Sequence, residues 1–173
     1  RHQSYVDLLL KSEIDGIESE GWLMTTDAAE WYSEDKWLDS IDFVTWLENN
    51  FLNRNKKFLP VCQNAEPYNE QGPSLPANCT KEQYSLYCFC SLLLAVKSNN
   101  SYMNFGYYID DYVDSLFDIQ LGSPLNTYYV IEGTHVYARD FSKIKVLVNP
   151  TYQFYQVNLD GNYETLDGQP VIS

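Results

Sequence analysis

Basic residues are scarce in this chain. Eleven Lys and Arg stand against 24 Asp and Glu, giving a net charge of −13 and a pI near 4.3. That balance speaks against nucleic acid and anionic membrane surfaces as partners. Long apolar runs are missing too: nothing approaches the ~20 residues of a membrane span, so none is expected. The longest apolar patch, residues 88–96, reads as a buried helix. Histidine occurs only twice, and Cys62, Cys79, Cys88 and Cys90 do not have zinc spacing, so neither a metal site nor a cofactor is expected. No His lies near a plausible nucleophile, which argues against a serine or cysteine triad, and there is no phosphate loop. Internal repeats and low-complexity segments are absent. The chain starts at Arg1 without an initiator Met or a charged-then-apolar leader, as expected of a processed chain or a piece of a longer one.

What is present argues for a packed globular protein. Hydrophobic residues make up 45% of the 173 residues and aromatic residues 16%, enough for one core with or without a small satellite. The acidity is concentrated: residues 1–50 hold 12 acids and three bases, either an acidic cleft or solvated helix faces. Cys62 and Cys79 flank a loop rich in Pro, Asn and Gly, where a disulfide would contribute about 3 kcal/mol. Cys88 and Cys90 lie two apart on an expected helix, point to different sides and read as small buried hydrophobes. Sequons at Asn78 and Asn99 would accept N-glycans, and together with that disulfide they point to a secreted protein.

Periodicity divides the chain in two. A helical pattern over residues 4–11 leads to a strand at 14–20, and Thr26 or Asp27 can cap a helix over 34–52. That helix carries a stripe of Trp37, Leu38, Ile41, Val44, Leu47 and Phe51, which Phe43 and Trp46 broaden toward a second neighbour. Residues 57–63 read as a buried strand blemished by Pro60. A loop of about fifteen residues follows, long enough to suggest function or a covering role. Thr80 and Gln83 then fit a capping box for a helix to about residue 97. A strand at 101–106 and a short helix at 107–118 complete an alternation of strands and helices, the signature of parallel βα units. After residue 124 the texture changes to β-branched and aromatic runs broken by Glu132-Gly133, Asn149-Pro150, Asp160-Gly161 and Asp167-Gly168, which predicts an antiparallel meander of about five short strands.

The opening strand carries the chemistry. Alternation in Ile14-Asp15-Gly16-Ile17-Glu18-Ser19-Glu20-Gly21-Trp22 puts Gly16, Glu18 and Glu20 on one face and Ile17 and Ser19 on the other. A strand-end carboxylate beside an aromatic platform suits glycosidic-bond chemistry; the plain alternative is an acidic edge strand facing water. Asp15-Gly16-Ile17-Glu18-Ser19-Glu20-Gly21-Trp22, Leu121-Gly122-Ser123-Pro124, Val136-Tyr137-Ala138-Arg139-Asp140-Phe141 with Val146-Leu147-Val148-Asn149-Pro150, and Tyr163 to Gly168 occur in the order found in one family. By these motifs the chain resembles glycoside-hydrolase-like barrels of bacteria and eukaryotes. The resemblance implies a (β/α)8 barrel followed by a small β-sandwich-like domain. Only three or four barrel strands can be counted, so the expectation is the carboxyl-terminal half of a barrel over residues 1–124 and an antiparallel β tail over 125–173. Ser142-Lys143-Ile144-Lys145 departs from the family, which usually carries a glycine turn there.

By its position in that family Glu20 would be the acid or nucleophile, with Glu18 supporting it through a hydrogen bond or its charge. Asp110 and Asp111 are candidates for the second carboxylate, ~5 Å away for retention or ~6.5–9.5 Å for inversion; alternatively they complement a helix dipole. Trp22, Tyr107 and Tyr108 could stack on sugar rings or pack as a rim. Gln63 and Asn104 could bond sugar hydroxyls or close loops, and His135 reads as a surface residue. The expected function is part of a secreted glycoside hydrolase acting on carbohydrate. The alternative is a non-catalytic extracellular glycoprotein that keeps the scaffold and buries its open edges by self-assembly, or by docking a second chain that supplies the rest of the barrel.

Overall fold

A computed structural model describes residues 8–11, 13–25, 30–62, 79–105 and 115–171. The chain combines helices with a two-stranded parallel sheet and a separate three-stranded antiparallel sheet, and the described strands do not close a barrel.

Strand β1, Gly16–Ser19, pairs in parallel with β4, Lys57–Pro60, in the register Gly16 to Lys57 and Ser19 to Pro60. Between them lie the two-residue strands β2 (Met24–Thr25) and β3 (Glu30–Trp31), paired antiparallel, and helix α1, Glu34–Asn50. The cap of α1 is Ser33, whose side chain accepts from the Lys36 N–H, with Glu34 and Asp35 in the first turn where the helix dipole favours acids. The helix starts where the periodicity placed it, but Ser33 caps it; Thr26 and Asp27, the expected caps, lie outside the described residues. The buried stripe is Trp37, Ile41, Val44 and Leu47, as the spacing predicts. A 3-10 turn at Leu52–Arg54 and the left-handed Asn55 (φ 62°) then reverse the chain into β4.

Pro60 is tolerated because of where its missing donor falls. The N–H groups of Lys57 and Val61 reach back to Asp15 and Ser19, whereas those of Phe58 and Cys62 reach the carbonyls of Asn100 and Asn104. By this alternation Pro60 forgoes one bond to the 100–104 segment, and that segment still bridges β4 in parallel at Ser101 and Asn104. Of the expected strand at 101–106, the described residues 101–105 form two bridges.

Helix α2, Lys81–Ala95, begins with the expected capping box: Gln83 N–H donates to the Thr80 hydroxyl at 3.2 Å, and Thr80 N–H donates to the Gln83 side chain at 2.9 Å. It is central. One side packs on α1, where Trp37 Nε1 donates to Ser91 Oγ at 3.0 Å, and another packs on the antiparallel sheet. That sheet comprises β5 (Tyr129–Val130), β6 (Tyr137–Asp140) and β7 (Lys145–Val148) in sequential order. One hydrophobic core joins the two regions, running from Trp37, Ile41 and Phe58 through Leu92 and Leu93 to Tyr137, Val146 and Val148. No described helix is long and apolar enough to cross a membrane.

The five-strand meander is corrected to three strands. Residues 153–158 form no strand, and 163–166 contributes one bridge, Glu164 to Pro170. Phe154 is wholly exposed and Tyr152 nearly so, so the aromatic alternation there has no sheet face to bury against. The hairpin between β6 and β7 manages without glycine because the preceding connection clasps it: Ser142 N–H donates to Ser123 O and Ser123 N–H to Ser142 Oγ.

Candidate functional site

The carboxyl end of β1 is where the geometry gathers. Val61 N–H donates to Ser19 O at 2.9 Å, which carries the β1–β4 register one step on and sets Glu20 beside Val61. Val61 in turn is bridged in parallel to Asn104. Glu20 and Asn104, singled out separately in the sequence, therefore stand at the same end of three neighbouring parallel segments. Glu18 and Glu20 are exposed, while Ile17 and Phe58 turn toward the helices and join the core or pack against it. The alternation expected for this strand accounts for that division.

Beyond Glu20 the chain makes a tight turn with two left-handed residues, Gly21 (φ 64°) and Leu23 (φ 64°). Glycine adopts this freely, but leucine does so only when its surroundings over-determine it. Here they do. Leu23 is fully buried and its carbonyl accepts from Tyr32 N–H, while Trp22 N–H donates to Val61 O at 2.9 Å. The Trp22 indole donates to the Cys88 carbonyl at 3.4 Å, and the Trp22 carbonyl accepts from Tyr84 OH at 3.0 Å. Trp22 is thereby 3% exposed and packs edge-on against Phe58, 6.1 Å between ring centres. Of the two readings of Trp22, stacking or packing, the geometry matches packing: its hydrogen bonds to α2 pull the indole inward, leaving an edge in a cavity wall.

That wall belongs to a cleft of about 650 Å³. Ser19, Gly21, Trp22 and Leu23 form one side; Tyr32, Lys36, Asp39, Ser40, Phe43 and Trp46 form the other. Phe43 and Trp46 are one helical turn apart on α1, half-buried, with rings nearly parallel (8°) and centres 6.5 Å apart. The Lys36 ammonium sits 3.8 Å over the Tyr32 ring, a cation–π contact that holds it at the rim. Aromatic faces interleaved with a hydroxyl, a carboxylate and an ammonium can hold a ligand that is apolar on its faces and polar at its edges. Sequence reasoning assigned Phe43 and Trp46 to packing and did not single out Tyr32, Lys36, Asp39 or Ser40. The signal available was the width of the α1 stripe, wider than one packing neighbour needs.

The other sequence candidates divide as follows. Gln63, Tyr107, Tyr108, Asp110, Asp111 and Asn78 lie outside the described residues. Asn99 is exposed in a turn. The structure shows no disulfide between Cys62 and Cys79: Cys62, Cys79, Cys88 and Cys90 all stand as free thiols. Cys62 is turned into the core, whereas Cys79 Sγ donates to the Thr80 carbonyl at the start of α2. Burial pushes the Cys79 thiol up to about 11 and that of Cys90 up to about 12, with Cys88 adding to both, so neither is a ready nucleophile. His135 is exposed as expected, its Nδ1 2.6 Å from the Glu34 carboxylate, to which Tyr137 OH also donates at 2.7 Å. Among the described residues no group of three or more His, Cys, Asp and Glu could hold a metal ion.

No family model matches the chain, and neither does any curated protein or solved structure at a significant level.

Proposed function

We propose that this chain is the carbohydrate-binding half of a glycoside-hydrolase-like scaffold, with a sugar held in the cleft beside the carboxyl end of β1. The observation that carries this reading is a cleft lined by the Phe43–Trp46 pair together with Ser19 and Gly21, next to the strand end at which Glu20 and Asn104 stand. In βα architectures that end is where loops and strand-terminal side chains build sites. Phe43 and Trp46 offer ring faces to the apolar faces of a sugar, and Ser40 and Asp39 offer hydrogen bonds to its hydroxyls. Glu20, exposed at the strand end, is the acid or nucleophile of the reaction, with Asp110 or Asp111 as the second carboxylate. Three parallel segments in sequential order, each of the first two followed by a helix, support a partial barrel as the scaffold. The protein is secreted, with glycans at Asn78 and Asn99.

A second reading keeps the cleft and drops the chemistry. Glu18 and Glu20 both face water, and β1 has no strand partner other than β4 among the described residues. A non-catalytic glycan-binding subunit that assembles along the β1 edge fits those two facts.

One experiment tests both. A panel of neutral and charged oligosaccharides is titrated into the protein with tryptophan fluorescence as readout, and each is incubated with it for release of reducing ends. Binding that weakens at least tenfold in Trp46→Ala, with hydrolysis abolished in Glu20→Gln, supports the enzyme. Binding without hydrolysis supports the second reading. No binding to any member of the panel overturns both.

A further inference from the structure

The core behind the cleft wall contains a pair of thiols that the cysteine spacing does not suggest. Cys62, just past β4, and Cys88, midway along α2, are both fully buried in one core cluster with Tyr84 and Trp22. Trp22 brings them together: its N–H donates to the carbonyl of Val61, the residue before Cys62, at 2.9 Å, and its carbonyl meets Cys88 Sγ. The Cys62 thiol acts electrostatically on both Cys88 and Tyr84. Cys88 Sγ donates to the Trp22 carbonyl at 3.7 Å, the oxygen that Tyr84 OH bonds at 3.0 Å. Cys79 is half-buried at the opposite end of the first helical turns, held to the Thr80 carbonyl, and Cys90 lies on another side of α2. Cys88, not the nearer-in-sequence Cys79, is thus the neighbour that folding delivers to Cys62.

We propose that Cys62 and Cys88 close an intramolecular disulfide when the chain folds in the presence of a small-molecule disulfide such as oxidised glutathione. One cysteine thiolate attacks the small disulfide, breaking its S–S bond, forming a mixed disulfide and releasing one glutathione thiol. The other cysteine then attacks the protein sulfur of that mixed disulfide, forming the Sγ–Sγ bond and releasing the second thiol. The two protons of the cysteine S–H groups end on the two glutathione thiols, and the two electrons have reduced the small disulfide.

The timing follows from burial. In the folded chain neither sulfur meets solvent, and burial pushes the Cys88 thiol well above its ordinary range, so little attacking thiolate exists. The bond therefore forms while the core is still open, and the folded reduced protein stays reduced. Once made, it ties the end of β4 to α2 directly behind Trp22 and constrains the long segment between the two cysteines. The Cys88 bond to the Trp22 carbonyl is given up, while Tyr84 keeps its own.

The test is refolding of the full reduced chain in a glutathione redox buffer, with alkylation of remaining thiols and peptide mapping without reduction. The expected result is a cross-linked peptide pair containing Cys62 and Cys88, two hydrogens lighter than the sum of its reduced parts, with Cys79 and Cys90 alkylated. The Cys79→Ser, Cys90→Ser double variant keeps only the proposed pair; it should form the same bond, and its chemical-unfolding midpoint should fall on reduction. A Cys62–Cys79 bridge, or alkylation of Cys62 and Cys88 after refolding, overturns the proposal. Oxidant added to the already folded reduced protein should leave both buried thiols alkylatable only after denaturation; rapid bridging there would overturn the assigned order of events.

Discussion

Arg139 Nη1 donates to the carbonyl of Val96 at 2.6 Å, across 43 residues of sequence. The same nitrogen reaches the carbonyls of Leu93 at 2.7 Å and Leu94 at 3.2 Å, so one guanidinium from β6 closes the carboxyl end of α2. The last turn of α2 has no basic residue of its own, and Arg139 supplies the missing charge from the tail sheet. The arrangement costs desolvation: burial pulls the Arg139 pKa below its ordinary value, with Glu48 opposing that pull. It locks the antiparallel sheet to the βα region.

Removing that side chain should be severe. Arg139→Ala leaves four carbonyls, those of Leu93, Leu94, Val96 and Asn126, without their donor, and we expect a loss of about 3 kcal/mol in urea unfolding. Arg139→Lys should recover only part of it, because a single ammonium cannot reproduce the fork of the guanidinium, which also reaches the Asn126 carbonyl through Nε. A loss under about 1 kcal/mol for the alanine variant would show that α2 finds another cap.

Asp140 and Lys145 form the last register pair of the β6–β7 hairpin and are joined by a salt bridge. Burial pushes the Asp140 carboxyl up, but hydrogen bonds from Lys145, Asn126 and Tyr129 outweigh it and hold the pKa below the ordinary 3.8. A depressed folded pKa means the pair stabilises the protein fully above the unfolded carboxylate value and loses that contribution as pH falls through the lower folded value. For Lys145, burial pulls the ammonium down, while Asp140 and Tyr129 raise it above 10.5 on balance. Its contribution is complete below 10.5 and is lost as pH rises through the raised folded value. Asp140→Asn should therefore flatten the acid limb below about pH 4 in a stability–pH profile. An unchanged acid limb would rule the pair out as its source.

Gly16 sits where β1 meets β4 most closely. A Cβ built there would stand 2.8 Å from the Lys57 carbonyl oxygen, a backbone atom that cannot turn aside. Gly16→Ala should cost roughly 1–3 kcal/mol, as other forced overpacking does. It should also weaken ligand binding in the cleft, since β1 carries Ser19 and leads into Gly21. Equal stability with unchanged amide protection in β1 and β4 would show that the sheet simply opens to accept it.

Local chemistry was legible in this sequence. The capping box at Thr80 and Gln83 and the stripe of Trp37, Ile41, Val44 and Leu47 were readable because each depends on residues a few positions apart. So was the division of β1 into a water-facing set with Glu18 and a helix-facing set with Ile17, since period-2 alternation needs no partner. The site was legible only in part. Glu20 and Asn104 were found as strand-end residues, but their shared row exists only through the bond of Val61 to Ser19 and its bridge to Asn104. Phe43 and Trp46 read as packing residues because a helix stripe does not say whether its neighbour is a protein surface or a cleft.

By itself, then, the sequence determined α1 and α2, the capping box of α2, the parallel βα order and the acidic character of the first fifty residues, all set by local propensity and periodicity. Tertiary structure alone decided which cysteines are neighbours, that Trp22 turns inward, that the aromatic run after Asn149 finds no sheet, and that Arg139 caps α2. Each of these depends on contacts between distant segments, whose free energy comes from burying surface and pairing polar groups that no single stretch of chain contains.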